Sequence, residues 1–165
     1  MLLDGDEWAA KFRTFQQEAW RLETWPQYLV PQEADEFAAF RNGARFPGPY
    51  EDAWTRMVST RNVGRVHIVS RPLTDYLRFE FERYYQHQAR AGEDIRILDV
   101  TEQENPLPGV QDFWMFDQTT IVLMHYEPDG KQIGRELYDG DPAPYIEYQR
   151  IAKAASTPFL EYVKE

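Results

Sequence analysis

The chain has no cysteine and only three histidines, His67, His87 and His125, in 165 residues. Without thiols there are no disulfides, no thiolate metal ligands and no cysteine nucleophile. None of the histidines falls in an HExxH or zinc-deaminase pattern, and a lone histidine on a strand is ordinarily structural, so neither a metal nor another cofactor is expected. The sequence also lacks a GxSxG elbow, a Walker loop and a GxGxxG fingerprint, which removes the common hydrolase, nucleotide and dinucleotide classes. No run of about 18 apolar residues occurs. The opening MLLDGDEW is acidic where an export signal would be basic and then apolar. These absences together lead to the expectation of a cytoplasmic protein with no membrane partner.

Clustered positive charge is scarce as well. The formal net charge is −10, and phosphate binding draws on grouped lysine and arginine, so direct binding of free nucleic acid is not expected. The charge is unevenly spread. Residues 1–60 carry 6 bases and 10 acids, residues 61–100 carry 7 and 6, and residues 101–165 carry 5 and 12. All seven central bases are arginine, the side chain suited to bidentate recognition of carboxylate or phosphate. Such a chain can hold a small anion while turning acidic faces toward a basic protein. The plainer alternative is that the acidity serves solubility.

What the sequence does have is aromatic residues: 10 Phe, 10 Tyr and 5 Trp within a composition that is 42% hydrophobic. That is too many for a disordered chain, and the length suits one domain with one core. Trp8, Phe12, Phe15, Ala19 and Leu22 recur at helical spacing, predicting a helix over 6–23. WPQYLVP reads as a short extended piece between Pro26 and Pro31. A helix near 32–41 then stops at Gly43, and another over 51–60 stops at Gly64. RVHIVS, the helical LTDYLRFEFERYYQHQARAG and EDIRILDV form a strand-helix-strand unit, which a crossover of this length makes parallel and right-handed. DFWMFD and IVLMHY flank a QTT turn, EPDGK makes another, QIGRELY gives a further strand, and a last helix runs from Pro144 to Val163.

The expected fold is therefore α/β, a single domain over 1–165 whose mixed β-sheet contains a parallel strand-helix-strand unit followed by an antiparallel hairpin. N- and C-terminal helices flank it. Residues 1–64 are expected to be mainly helical, 65–141 to form the sheet core, and 142–165 the C-terminal helix.

In open α/β sheets ligands bind along the carboxyl edge of the parallel strands. Arg71 follows the first strand, Asp99 ends the second, and the helix beginning at Thr74 offers its amide groups, so these could converge on an anion. Tyr76 and Glu80, one turn apart, could line the same edge, or be ordinary boundary residues. The alternative for the arginines is a structural pair of Asp75 with Arg71 or Arg78. Asp112 and Asp117 bracket the FWMF strand. Five residues of extended chain separate them by about 17 Å, so they cannot act as a paired acid and base. Either could still touch a ligand, and Asp117 could approach Arg71 or Asp99 if its strand ran parallel to theirs. Aspartate at a turn is also common for backbone hydrogen bonding.

The run GRVHIVSRPLTDYLRFE, then AGEDIR and DFWMFD, with the first aromatic segment ending in RLET, resembles an actinobacterial family of uncharacterised small proteins over nearly the whole chain. Members of that family are typically encoded near helix-turn-helix regulators, so the resemblance implies a regulatory pathway and a basic DNA-binding regulator as partner. It carries no catalytic residues. More distantly, the strand-helix-strand unit followed by FWMFD and a hairpin resembles one half of a phospholipase D-like fold. That chemistry needs a histidine nucleophile with a lysine two residues on. Val69, Ala89 and Glu127 stand there instead. The expectation is a non-enzymatic regulatory or interaction protein with a small anionic ligand; the alternative is an enzyme acting on an anionic phosphorus- or carboxyl-bearing substrate through Arg71, Glu80 and Asp117.

Overall fold

A computed structural model of the protein describes residues 1–164. Its centre is one seven-stranded sheet. In chain order the strands are β1 (Ala19–Glu23), β2 (Val63–Val69), β3 (Asp94–Asp99), β4 (Phe113–Phe116), β5 (Thr120–Tyr126), β6 (Gln132–Leu137) and β7 (Thr157–Pro158). The spatial order is β6-β5-β4-β1-β2-β3-β7. β1, β2 and β3 are parallel and every other pairing is antiparallel, so the sheet is mixed, with the expected parallel unit and hairpin.

The first helix, α1 (Gly5–Thr14), is closed at its start by an Asp4–Glu7 capping box. Its Trp8 and Phe12 meet Trp114 edge-on, at ring separations of 6.3 and 5.0 Å. It stops nine residues before the sequence spacing predicts, and residues 19–23 form a strand. The reason is local competition for backbone donors. The N–H groups of Gln16, Gln17 and Glu18, which a continuing helix would point at carbonyls four residues back, donate to the Asp117 carboxylate at 2.6–3.1 Å. Ala19 and Leu22 fit a helical stripe and a strand alternation equally well, and the tertiary contact decides.

α2 (Ala34–Arg41) follows a 3₁₀ turn at Pro31–Glu33, and α3 (Ala53–Val58) is short. Gly64 does not terminate it as predicted. It lies in β2, where an added Cβ would sit 3.1 Å from the Asp94 carbonyl and 3.3 Å from the Trp20 ring. The crossover is continuous: α4 (Asp75–Glu80), a π-helical turn at Phe81–Tyr85, and α5 (Gln86–Ala91). Thr74 caps its start, and Gly92, at φ +128°, ends it. The last predicted helix is broken into α6 (Ala143–Ala155), β7 and α7 (Phe159–Tyr162). Pro158 disfavours helical backbone at Thr157, which instead pairs with Ile97 of β3.

The two faces of the sheet differ. One carries a single continuous apolar cluster, with Trp20, Leu22, Val66, Ile68, Leu98, Phe113, Met115 and Ile121 packed with Tyr145, Tyr148 and Ile151 of α6, and its charged pairs lie toward the edges, at Asp94–Arg96 and His125–Glu136. The other carries two separate apolar clusters. Phe15, Val63, Trp114, Phe116 and Val122 lie under α1 and α3, while Val69, Ile95 and Ile97 lie under Leu77, Phe81 and Tyr85. Between these clusters the sheet presents charge. No helix among the described residues is long and apolar enough to cross a membrane.

Candidate functional site

The charge follows from strand alternation. In β1 Trp20 and Leu22 take the apolar face, so Arg21 and Glu23 take the other. The parallel register sets Arg21 beside Arg65 and Glu23 beside His67. Four ionisable side chains thus meet at the middle of the sheet, where burial of charge is costly unless each is paired.

The pairing is extensive. Arg65 donates through Nε to Glu93 Oε2 at 2.5 Å and through Nη1 to Glu23 Oε1 at 2.9 Å. Trp54 Nε1 also donates to Glu93, at 2.7 Å. The Tyr85 hydroxyl, delivered by the π-helical turn, donates to Glu23 Oε1 at 2.8 Å. Burial works against the Glu23 carboxylate, but Arg21 and Arg65 outweigh it and hold its pKa down at about 2. Arg21 donates to the Tyr126 hydroxyl at 2.6 Å and faces Asp112 at 3.4 Å. His67 is fully buried; its Nε2 donates to the Trp25 carbonyl at 2.8 Å, and its Nδ1 lies 2.9 Å from the Tyr85 hydroxyl and 3.5 Å from Glu80 Oε1. Burial lowers the His67 pKa, but Glu23 and Glu80 more than offset this, and it is raised.

A second carboxylate pair stands above the row. The Tyr76 hydroxyl lies 2.8 Å from Glu33 Oε1 and 3.1 Å from Glu80 Oε2, one proton between two acids. Burial first, and Glu80 second, push the Glu33 pKa up to about 7.

Over these groups opens a cavity of about 590 Å³, walled by Tyr28, Glu33, Tyr76, Glu80 and Tyr126 on one side and by β6 through Arg135 on the other. Arg135 lies over the Trp8 ring at 5.2 Å, and among the described residues no carboxylate is within ion-pair distance of it. Four buried side-chain polar atoms have no hydrogen-bond partner among the described residues: Arg21 Nε, Glu80 Oε1, Arg135 Nε and Gln88 Oε1. The first three belong to residues lining this one cavity. Native interiors leave few such atoms, and three of them on residues lining one cavity make it the candidate ligand site.

The candidates named from the sequence fall into separate places. Tyr76 and Glu80 are in the cavity wall. Asp112 lies beneath them at the carboxyl end of β1, fully buried, and accepts from Thr24 N and Oγ1, from the Tyr28 hydroxyl at 2.5 Å and from Arg21. Burial pushes its carboxyl up despite these donors. Asp112 therefore anchors the cavity's tyrosine and arginine. Arg71 and Asp99 do meet on the carboxyl edge, 3.3 Å apart, and the Tyr162 hydroxyl donates to Asp99 at 2.6 Å. The Arg71 guanidinium is thus matched by a carboxylate and lies outside the cavity. Arg78 is exposed and pairs with Asp75, the structural pairing foreseen for that helix start.

Asp117 sits at the opposite edge, because β4 runs antiparallel to β1, so it does not approach Arg71 or Asp99. It has φ +55° and accepts the three amide hydrogens of residues 16–18. Slight burial acts the other way, but these donors hold its carboxyl below the ordinary range. Asp117→Ala, followed by urea unfolding, should cost about 0.5–2 kcal/mol, the range for losing a side chain that caps backbone amide groups, here at the α1–β1 junction. An unchanged midpoint would contradict this role.

The sequence reading missed Arg21, Glu23, Glu33, Arg65, His67 as a cluster member, Glu93, Tyr126 and Arg135. A signal was present: WRLE and GRVHIV both alternate apolar with ionisable residues, and two such strands side by side make a charged row.

The chain belongs to a domain family of unknown function (DUF6879), whose model matches residues 6–164. No curated protein matches the chain.

Proposed function

We propose that this member of that domain family is a non-catalytic regulatory module that binds a small anionic ligand in the cavity between β1, β6 and α4, and acts with a basic DNA-binding regulator. The observation that carries the reading is the pair of unpartnered arginine nitrogens, Arg21 Nε and Arg135 Nε, on residues lining one cavity. Arg135 has no carboxylate partner among the described residues, and burial lowers its pKa, so an anion beside it would gain a charge-assisted hydrogen bond that nothing in the fold supplies. The anion thus fits the Arg135 cavity better than the Arg71 edge, whose guanidinium is already matched.

His67 supports the non-catalytic half of the reading. It is the strand histidine that a phospholipase D-like comparison would make the nucleophile. It is fully buried, one ring nitrogen is spent on a carbonyl, and the lysine two residues on is absent. Partner choice rests on charge: most arginines are consumed in internal pairs, leaving a chain of net charge −10 whose surface suits a basic protein.

The test is a thermal-shift panel of inorganic phosphate, small carboxylates and nucleotides on the wild type, Arg135→Ala and Arg71→Ala. A ligand at a hundred times its Kd adds about 2.7 kcal/mol, a rise in Tm of roughly 5–10 °C for a chain of this size. The rise should vanish in Arg135→Ala and persist in Arg71→Ala. The reverse pattern would move the site to the Arg71 edge.

A further inference from the structure

The acidic side of the same cavity carries an inference that goes beyond the anion reading and does not depend on it. Glu23, His67 and Glu80 each direct one donor atom into a common space, the three atoms lying within 4.8 Å of one another. All three residues are buried. Glu80 is only 7% exposed, and its Oε1, 3.5 Å from His67 Nδ1, has no hydrogen-bond partner among the described residues. We propose that Glu23, His67 and Glu80 form a site for one divalent transition-metal ion at the floor of the cavity.

Three further features support a metal over a chance meeting of acids. The first is ligand preparation. A carbonyl only accepts, so the 2.8 Å contact of His67 Nε2 with the Trp25 carbonyl fixes the proton on Nε2 and turns Nδ1 toward the carboxylates. An outer hydrogen bond of this kind orients metal-binding histidines generally. The second is that the carboxylate ligands keep free oxygens, and His67 Nδ1 has a single close contact, the Tyr85 hydroxyl at 2.9 Å, to exchange for an ion. Arg65 and Tyr85 both donate to Glu23 Oε1, and among the described residues Glu23 Oε2 has only Arg21, 3.9 Å away. The third is charge. The connected network contains two arginines, Arg21 and Arg65, against four buried carboxyl groups, Glu23, Glu80, Glu93 and Asp112. Carboxyl groups thus outnumber guanidinium groups by two in this buried network, and a divalent ion bound in place of protons would balance them.

The donor set, one imidazole and two carboxylates, suits Zn²⁺, Mn²⁺ or Fe²⁺ and gives no preference for copper(I), which favours sulfur. Ligand atoms about 2.1 Å from a common tetrahedral ion lie about 3.4 Å apart, so the donor atoms, within 4.8 Å of one another, would need to close by up to about 1.4 Å. The remaining coordination position would face the cavity.

The experiment uses full-length protein freed of metal by chelator dialysis and titrated with ZnCl2, and in parallel with CoCl2, whose visible absorption reports nitrogen and oxygen ligation. The wild type should bind one ion per chain with a rise in Tm. Glu80→Gln, which keeps the shape of a side chain whose Oε1 has no partner to lose, should weaken binding at least tenfold, while its far-UV circular dichroism matches the wild type. Arg135→Ala should bind the ion as the wild type does, which separates failure here from failure of the anion reading. Absence of a stoichiometric ion at 100 µM Zn²⁺, used as about the upper end of a specific site, would overturn the proposal. Equal affinity in the wild type and Glu80→Gln would also overturn it, placing the ion on surface groups such as His125 and Glu136.

Discussion

Replacing Arg65 with alanine should lower the free energy of unfolding by about 3–5 kcal/mol, the range for removing one partner of a buried ion pair. Its guanidinium is the only group among the described residues that bridges Glu23 and Glu93 directly, at 2.9 and 2.5 Å, and all three side chains are at most 10% exposed. Without it two carboxylates face each other in an interior that solvates neither. At roughly 2–4 °C per kcal/mol for a chain of this size, the Tm should fall by about 6–20 °C. Arg65→Lys keeps the charge but not the planar fork that serves Nε and Nη1 at once, so it should fall between the two. Arg150→Ala is the contrast. That guanidinium pairs with Glu147 across an exposed turn of α6, and its loss should change stability by less than about 1 kcal/mol. Urea midpoints of the three variants check this, and equal losses for Arg65→Ala and Arg150→Ala would mean the charged row is not a buried network.

Glu33 should make stability fall as pH rises from about 4.5 to about 7. Burial, Glu80 and Glu23 raise its pKa, while the Tyr76 hydroxyl and Arg83 act the other way, and the folded value is about 7 against an ordinary 4.5. In that window the folded protein retains a proton that the unfolded chain has lost. The unfolded state therefore binds fewer protons, and the linkage slope of unfolding free energy with pH is negative. The total change attributable to this residue is on the order of 1–3 kcal/mol, allowing for its partial exposure. Glu33→Gln, which is neutral at every pH, should lose this part of the slope and be more stable than the wild type at pH 8. Urea unfolding from pH 5 to 8 with a chelator present checks it. Identical slopes in the two proteins would mean that Glu33 stays ionised in the fold.

The parts of this architecture visible in the sequence are those specified locally. RVHIVS, the long helix after it and EDIRILD carry their periodicity and caps in one continuous stretch, and they fold as that stretch reads. The hairpin from Phe113 to Tyr126 is equally local. What escaped depended on partners far away in the chain. Residues 15–23 have a helical stripe, yet Asp117, about a hundred positions on, takes the amide hydrogens that a helix would use. The C-terminal helix breaks where Thr157 finds β3.

The site shows the same division. Tyr76 and Glu80 were identifiable, since their spacing sets them on one side of a helix. Glu23, Arg65 and His67 were not, because a strand's charged face becomes a cluster only when a neighbouring strand is aligned with it, and sequence does not reveal that β1 inserts between β4 and β2. Arg71 and Asp99 were placed correctly on a common edge and at hydrogen-bonding distance. The pairing satisfies that arginine, whereas Arg135, on a β6 strand with no distinguishing motif, lines the cavity with no carboxylate partner and an unpartnered Nε among the described residues.

A crystal structure of the protein soaked with the strongest hit of the thermal-shift panel tests the central claim most directly. The account predicts density for the ligand's anionic group within hydrogen-bond distance of Arg135, in the cavity walled by Tyr28, Tyr76 and Tyr126. Ligand density beside Arg71 and Asp99, with only water around Arg135, would contradict it.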